Sequence, residues 1–150
     1  MSDIKEQLLA ELSRSIDSKI QAIKASIADI SDSMKNDTKS SAGDKFETGR
    51  EMMQIELNNK QQQLNKQLQV KKDLSQINLN KSYDKVEFGS LVMTNKGNYF
   101  MSVALGKILI NQSNYFALSM ASPIGQALKG AMTGDKIRFN NQDIEVFDIC

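Results

Sequence analysis

LAELSRSIDSKIQAIKASIADISDSM, residues 9–34, is the stretch on which the architecture turns. Leu9, Leu12, Ile16, Ile20, Ile23, Ile27, Ile30 and Met34 step by three or four residues, and the positions between them are mostly polar. This spacing leaves a narrow apolar stripe along one side of an α-helix, at coiled-coil spacing apart from one extra four-residue step across Leu12–Ile16–Ile20. One partner helix is enough to bury so narrow a stripe. It stops at Met34, and Lys35–Gly43 (KNDTKSSAG) is polar and rich in cap and turn formers.

A second helical pattern follows. Met53, Leu57, Leu64, Leu68 and then Leu74 or Ile77 supply its apolar face, with Lys60 or Gln61 in a seam position. The two patterns predict helices over Asp3–Lys35 and Asp44–Ile77, packed as an antiparallel coiled-coil hairpin that occupies residues 1–77 and turns at a tip around 43–47. At 1.5 Å rise per residue, each helix would run roughly 45–50 Å.

Beyond residue 77 the chain obeys different rules. The first 77 residues hold no proline or tyrosine and only two glycines, Gly43 and Gly49, whereas every other glycine and the single proline fall after residue 88. Lys85–Met93 reads as a strand with Gly89 at a bend, Asn95–Asn98 as a turn, and Tyr99–Val103, Lys107–Ile110 and Tyr115–Met120 as short strands. In Ser122–Gly130 (SPIGQALKG), a serine N-cap, a proline at the first helical position and a glycine past the end delimit a two-turn helix. Lys136–Phe139 and Glu145–Ile149 flank a hairpin turn at Asn140–Asn141. The fold class is therefore α+β: a hairpin, then a small antiparallel β domain at 78–150 with one short helix.

The totals exclude several classes. The chain has 150 residues, one cysteine (Cys150), no histidine and a net charge of +1. Histidine general-base chemistry is excluded, a structural zinc site is disfavoured, and a reducing compartment fits. Twelve basic and twelve acidic side chains in residues 1–80, with seven and six in 81–150, do not mark a duplex-DNA binder. No apolar run is long enough to span a bilayer, and the start (MSDIKEQLLAEL) lacks a secretory signal pattern.

Chemistry concentrates at the tip. In Gly43–Asp44–Lys45–Phe46–Glu47, the two acids are three residues apart at the opening of the second helix. Acids there serve as cap and dipole partners. Paired carboxylates also contribute to a divalent cation site whose other ligands come from a partner. Phe46 either plugs the tip or contacts a partner.

These residues resemble those of the bacterial Gre-type transcript cleavage factors, a family of transcription elongation factors. Gly43–Glu47 followed by Thr48–Gly49–Arg50–Glu51 is similar to a family tip that typically reads Gly-Asp-Leu-x-Glu-Asn-Ala-Glu-Tyr; after Glu47 the usual Asn-Ala-Glu-Tyr is replaced by Thr48–Gly49–Arg50–Glu51. Val86–Val92 is similar to the opening strand of the family's C-terminal domain, Ser122–Gly130 with Gly134–Asp135 to its signature helix and turn, and Asp143–Ile149 to its closing strand. The resemblance implies an FKBP-like domain that docks at the rim of the secondary channel of bacterial RNA polymerase, with the hairpin entering that channel. It implies a partner-binding role for Phe46, Ser122, Pro123, Ile124 and Gly125. Asp44 and Glu47 would assist the polymerase active site by holding a shared, transient Mg2+ near the 3′ end of backtracked nascent RNA. The polymerase, not this chain, would then carry out the hydrolysis, and the chain would have no cofactor of its own. A cytoplasmic monomer, joined to DNA only within transcription complexes and not to membranes, is the corresponding expectation.

Three other readings stay open. The chain could bind the channel without stimulating cleavage, or act as a coiled-coil adaptor or dimer without a catalytic role. A peptidyl-prolyl isomerase is the fourth, and it requires an aromatic-lined pocket.

Overall fold

The computed structural model describes the backbone of residues 2–37 and 43–150, and side chains at 3–36 and 48–150. The chain divides into two compact units. One is an arm, Arg14–Lys71; the other is a body formed by Met1–Ser13 and Lys72–Cys150.

Two long helices run through the hairpin region: α1, Ser2–Asp37, and α2, Gly43–Ser75. Within the arm they are antiparallel. Asp17 pairs with Lys71 at 2.8 Å, and further along Ala22 and Ile23 line one concavity with Gln63, Lys66 and Gln67. Ile16 and Ile20 are buried, and Ile23, Ile27, Ile30 and Met34 are half-buried, as a one-sided stripe requires. At the start of α1 it is Leu8 that is fully buried, while Leu9 is half-buried. The run of four-residue steps Leu8–Leu12–Ile16–Ile20 accounts for this, because at about 100° per residue four residues turn the helix just over once and bring each side chain back to nearly the same side. On α2 the half-buried line is Met53, Leu57, Lys60, Leu64, Gln67 and Val70. Leu68 is 42% exposed, so Gln67 and Val70 occupy the seam where the apolar count favours leucine. Lys60, not Gln61, is the polar seam residue.

The body holds a six-stranded sheet in the order β3-β4-β2-β1-β6-β5. The strands are β1 Leu91–Thr94, β2 Asn98–Met101, β3 Gly106–Ile110, β4 Ser113–Leu118, β5 Lys136–Phe139 and β6 Gln142–Ile149, with α3 at Pro123–Leu128. All pairings are antiparallel except β2 with β4, which is parallel. That exception follows from the path: β3 runs along the outer edge and the chain returns by a tight hairpin into the gap beside β2. The turn residues Asn111 and Gln112 both have positive φ, as do Asn140 and Asn141 between β5 and β6. Two consecutive positive values make the type I′ turn that matches strand twist.

The expected strand over Lys85–Met93 is shorter in the structure. Only Leu91–Thr94 is strand, and Lys85 forms an isolated bridge with Met132. Between them the chain turns. Gly89 has φ +92°, and the Ser90 hydroxyl donates to the Glu87 carbonyl oxygen at 2.6 Å while accepting from the Glu87 N–H at 3.1 Å.

The core under α3 contains Val86, Val92, Tyr99, Met101, Leu128, Ala131, Ile144 and Val146, with Ile124 packed against it. The opposite pleat of the central strands is buried as well, through Leu91, Phe100 and Ala117. Burial on both faces explains why β1 and β2 read as continuous apolar runs.

Candidate functional site

Asp44, Phe46 and Glu47 belong by backbone to the first turns of α2; their side chains lie outside the described residues. The side chains that follow are described: Thr48 and Arg50 are exposed, and a Cβ added at Gly49 would meet nothing within 4 Å. Among the described residues no cluster of three or more Cys, Asp or Glu could hold a metal ion.

The α3 segment is described in full. Ser122 sits in extended conformation as N-cap, and its hydroxyl accepts from the Gly125 N–H at 3.1 Å and donates to the Ser119 carbonyl oxygen at 2.7 Å. Gly125 is buried where a Cβ would lie 2.5 Å from the Ser119 oxygen and 2.9 Å from that of Met120. The Met120 oxygen also accepts from the Gln126 amide at 2.7 Å. Ile124 faces the core. Of the four residues in this segment expected to bind a partner, Pro123 is exposed, whereas Ser122 and Gly125 fit the helix against the Ser119–Met120 turn after β4 and Ile124 packs on the core.

Sequence reasoning did not single out Phe88. Glu87–Ser90 is a tight turn closed by the Ser90 N–H to the Glu87 oxygen at 3.1 Å and tied to β2 by the Gly89 N–H to the Met101 oxygen at 2.7 Å. With Gly89 in the left-handed region, Phe88 occupies the position before it and is held at the surface, 36% exposed. The only visible signal was the glycine inside an otherwise strand-like run. Phe88, Val86 and Met120 wall a groove of about 300 Å³ beside the C-terminal half of α3, with Lys85 and Lys129 at its margins. The groove offers one aromatic ring, fewer than an isomerase pocket of this kind requires.

The turn is propped from below. A Cβ on Gly89 would meet the Tyr83 hydroxyl at 2.4 Å, so the tyrosine lies directly under it. The Tyr83 ring lies 4.4 Å from the Lys5 ammonium and 5.1 Å from that of Lys81, and Lys81 pairs with Glu87 at 2.9 Å. Lys5 is 3% exposed and donates to the Cys150 carbonyl oxygen at 3.2 Å. Burial lowers its pKa below the ordinary lysine value, and burial raises that of Tyr83. A buried lysine on the first turns of α1 is thus part of the body.

Among the described residues no helix is long and apolar enough to cross a membrane. No protein-family model matches the chain, and no curated protein matches it. Among solved structures the chain is similar to a GreA factor homolog, Gfh1 of Thermus thermophilus, at 18% identity over 92% of this chain and 94% of that one, with a TM-score of 0.37. A second structure, of the transcription factor Gfh1, is similar at 16% identity over 91% and 92% of the two chains, with a TM-score of 0.36.

Proposed function

We propose that the chain is a transcription elongation factor that binds bacterial RNA polymerase through its secondary channel and stimulates hydrolysis of backtracked RNA by the polymerase active site. The supporting observation is the placement of the Gre-like acidic motif: Asp44 and Glu47 stand in the first turns of α2, where an antiparallel arm begins its return. The capped α3 in a sheet domain after the arm is the family's order of parts. In this reading the chain is not an enzyme. It works in the cytoplasm as a monomer, and its acids add negative charge beside a loosely held Mg2+ near the RNA 3′ end. Charge there raises ion occupancy and favours hydroxide over water as nucleophile. Two carboxylates make no site alone, so the remaining ligands belong to the polymerase.

One observation favours the reading without cleavage. Arg50 is exposed one turn after the acids, where the family tip carries an acid, and it brings positive charge to the arm's far end.

The test is a backtracked elongation complex of the cognate polymerase with its RNA labelled at the 5′ end. The wild type should release 3′-terminal fragments, and Asp44→Asn with Glu47→Gln should lower the rate at least tenfold at low Mg2+ with binding unchanged. Raised Mg2+ or Mn2+ should recover part of the loss, because mass action refills a weakened site. Equal rates for both proteins at low Mg2+ would refute the assignment of the acids. Polymerase binding without cleavage by the wild type would leave the regulator reading.

A further inference from the structure

The two edges of the sheet differ in what they offer. β3 and β5 end the sheet on opposite sides, and each is joined to its neighbour by a two-residue turn. In such a hairpin the residues flanking the turn exchange both backbone bonds, and the alternation continues along the strand. Gly106, Ile108 and Ile110 therefore bond to β4, while the N–H and C=O groups of Lys107 and Leu109 point away from the sheet. On the other side of β4 the Leu118 oxygen accepts from the Ser102 N–H at 2.7 Å, in step with this alternation. Among the described residues no group outside the sheet bonds to the Lys107 or Leu109 backbone. The edge also lacks the usual protection: β3 has no proline, its pairing has no bulge, and Lys107 is its single charge. Leu109 is 66% exposed, the most exposed large apolar side chain among the described residues of the body.

We infer that β3 pairs with β3 of a second copy of this chain, antiparallel about a two-fold axis at Ile108, so that two sheets join into one. Centred there, Lys107 of each copy stands opposite Leu109 of the other, and every free backbone group of the two residues finds a partner. Leu109 then covers the stem of the opposing lysine, and the two Ile108 side chains meet on the other face. A register centred on Lys107 sets ammonium against ammonium, and one centred on Leu109 runs into the turn at Asn111. Charge thus singles out one register on β3. On β5 the outward residues are Lys136 and Arg138, and every symmetric register sets cation against cation, so that edge is closed to a second copy. The interface is two short strands, below the roughly 1,000 Å² that a stable complex clears, so the dimer is weak and reversible. It concerns the free chain and goes beyond the polymerase reading, in which the working form is a monomer.

The experiment is sedimentation equilibrium of the full-length chain from low to high micromolar concentration, at low and high salt. The wild type should show a reversible monomer–dimer equilibrium with no larger species, because a two-fold contact closes on itself. Leu109→Lys places a cation against Lys107 in both halves and should weaken the dimer at least tenfold. Leu109→Glu places an acid there, so it should dimerise at least tenfold more tightly than Leu109→Lys at low salt, with the gap narrowing at high salt. Both variants alter an exposed side chain, and unchanged urea midpoints at low protein concentration establish that they fold. A wild type that stays monomeric throughout overturns the inference, as does a Leu109→Lys variant that associates like the wild type. Equal weakening by lysine and glutamate overturns the register and the inference with it. A monomeric wild type whose Leu109→Lys variant loses affinity for core RNA polymerase assigns the edge to a strand of the polymerase instead. None of these failures touches the polymerase reading, which the cleavage assay tests separately.

Discussion

The arm and the body bury their apolar residues in different ways. In the body, side chains from β1, β2, β6 and α3 reach zero or near-zero exposure, and the central strands are covered on both faces. Among the described side chains of the arm, only Ile16 and Ile20 are buried; the rest of its seam is half-buried and includes Lys60 and Gln67. The Gln67 side-chain oxygen is buried there without a hydrogen-bond partner. Two helices can exclude water only along the line where they meet, so each seam residue keeps one flank wet. The body should therefore set the chain's stability, while the arm can accept residues chosen for what they present.

The largest effect should come from cutting into the body. Leu128→Ala removes a fully buried side chain under α3 and should lower stability by about 3 kcal/mol, read from urea unfolding. The matching cut in the arm, Ile27→Ala, acts on a half-buried residue and should cost less than half of that. Equal losses would mean that the arm's seam is as dry as the sheet core.

Glycines sharpen the contrast, because the same substitution should change sign between the units. Gly125→Ala drives a methyl group into the Ser119 and Met120 backbone oxygens, in the turn that follows β4, and should destabilise by about 2 kcal/mol. Gly49→Ala adds a methyl group in open space within α2 and should stabilise the arm by about 1 kcal/mol, measured as helicity against temperature. A stabilising Gly125→Ala would disprove the close approach of α3 to Ser119–Met120.

Gln67→Leu tests whether the polar seam residue weakens the arm. Replacing an unpaired buried amide oxygen with a hydrocarbon should stabilise by about 1 kcal/mol. A loss would show that the amide serves the structure, for instance through a bridging water.

The smallest effect concerns Lys5. Its folded-state pKa lies below the unfolded value of 10.5, so across that interval the unfolded chain binds more protons and stability rises with pH. Lys5→Met should therefore differ most from wild type in the wild type's disfavour near pH 7. The difference should shift toward the wild type as pH climbs through the lowered pKa to 10.5. Parallel urea curves at two pH values measure it, and a pH-independent difference would show that the ammonium is not desolvated.

Much of this protein was legible in its residues. A repeat of three and four along residues 12–34, a polar break, and a serine–proline–glycine frame around α3 are local patterns, and local backbone and capping energies decide them wherever the chain goes. That Asp44 and Glu47 stand on the opening turns of the second helix was legible for the same reason, as contiguous residues at helical spacing. Other features depended on partners distant in sequence. Gln67 with Val70 instead of Leu68 is a choice between neighbours that only the opposing helix of the arm makes, and Leu8 instead of Leu9 is one that packing within the body makes. The parallel seating of β4 beside β2 depends on which strand gap the chain re-enters. Lys5 joins the body because Tyr83 and Cys150 stand around it, 78 and 145 residues along the chain. Phe88 becomes a surface feature because Tyr83 lies under Gly89 and Ser90 closes the turn. Sequence by itself determined most of the elements and the ends of α3, since these follow from nearest-neighbour sterics, capping and periodicity, while the extent of β1 within Lys85–Met93 was decided by the turn at Glu87–Ser90. Tertiary structure alone decided which side chains lost water and which kept it, because burial is a property of the surfaces that meet.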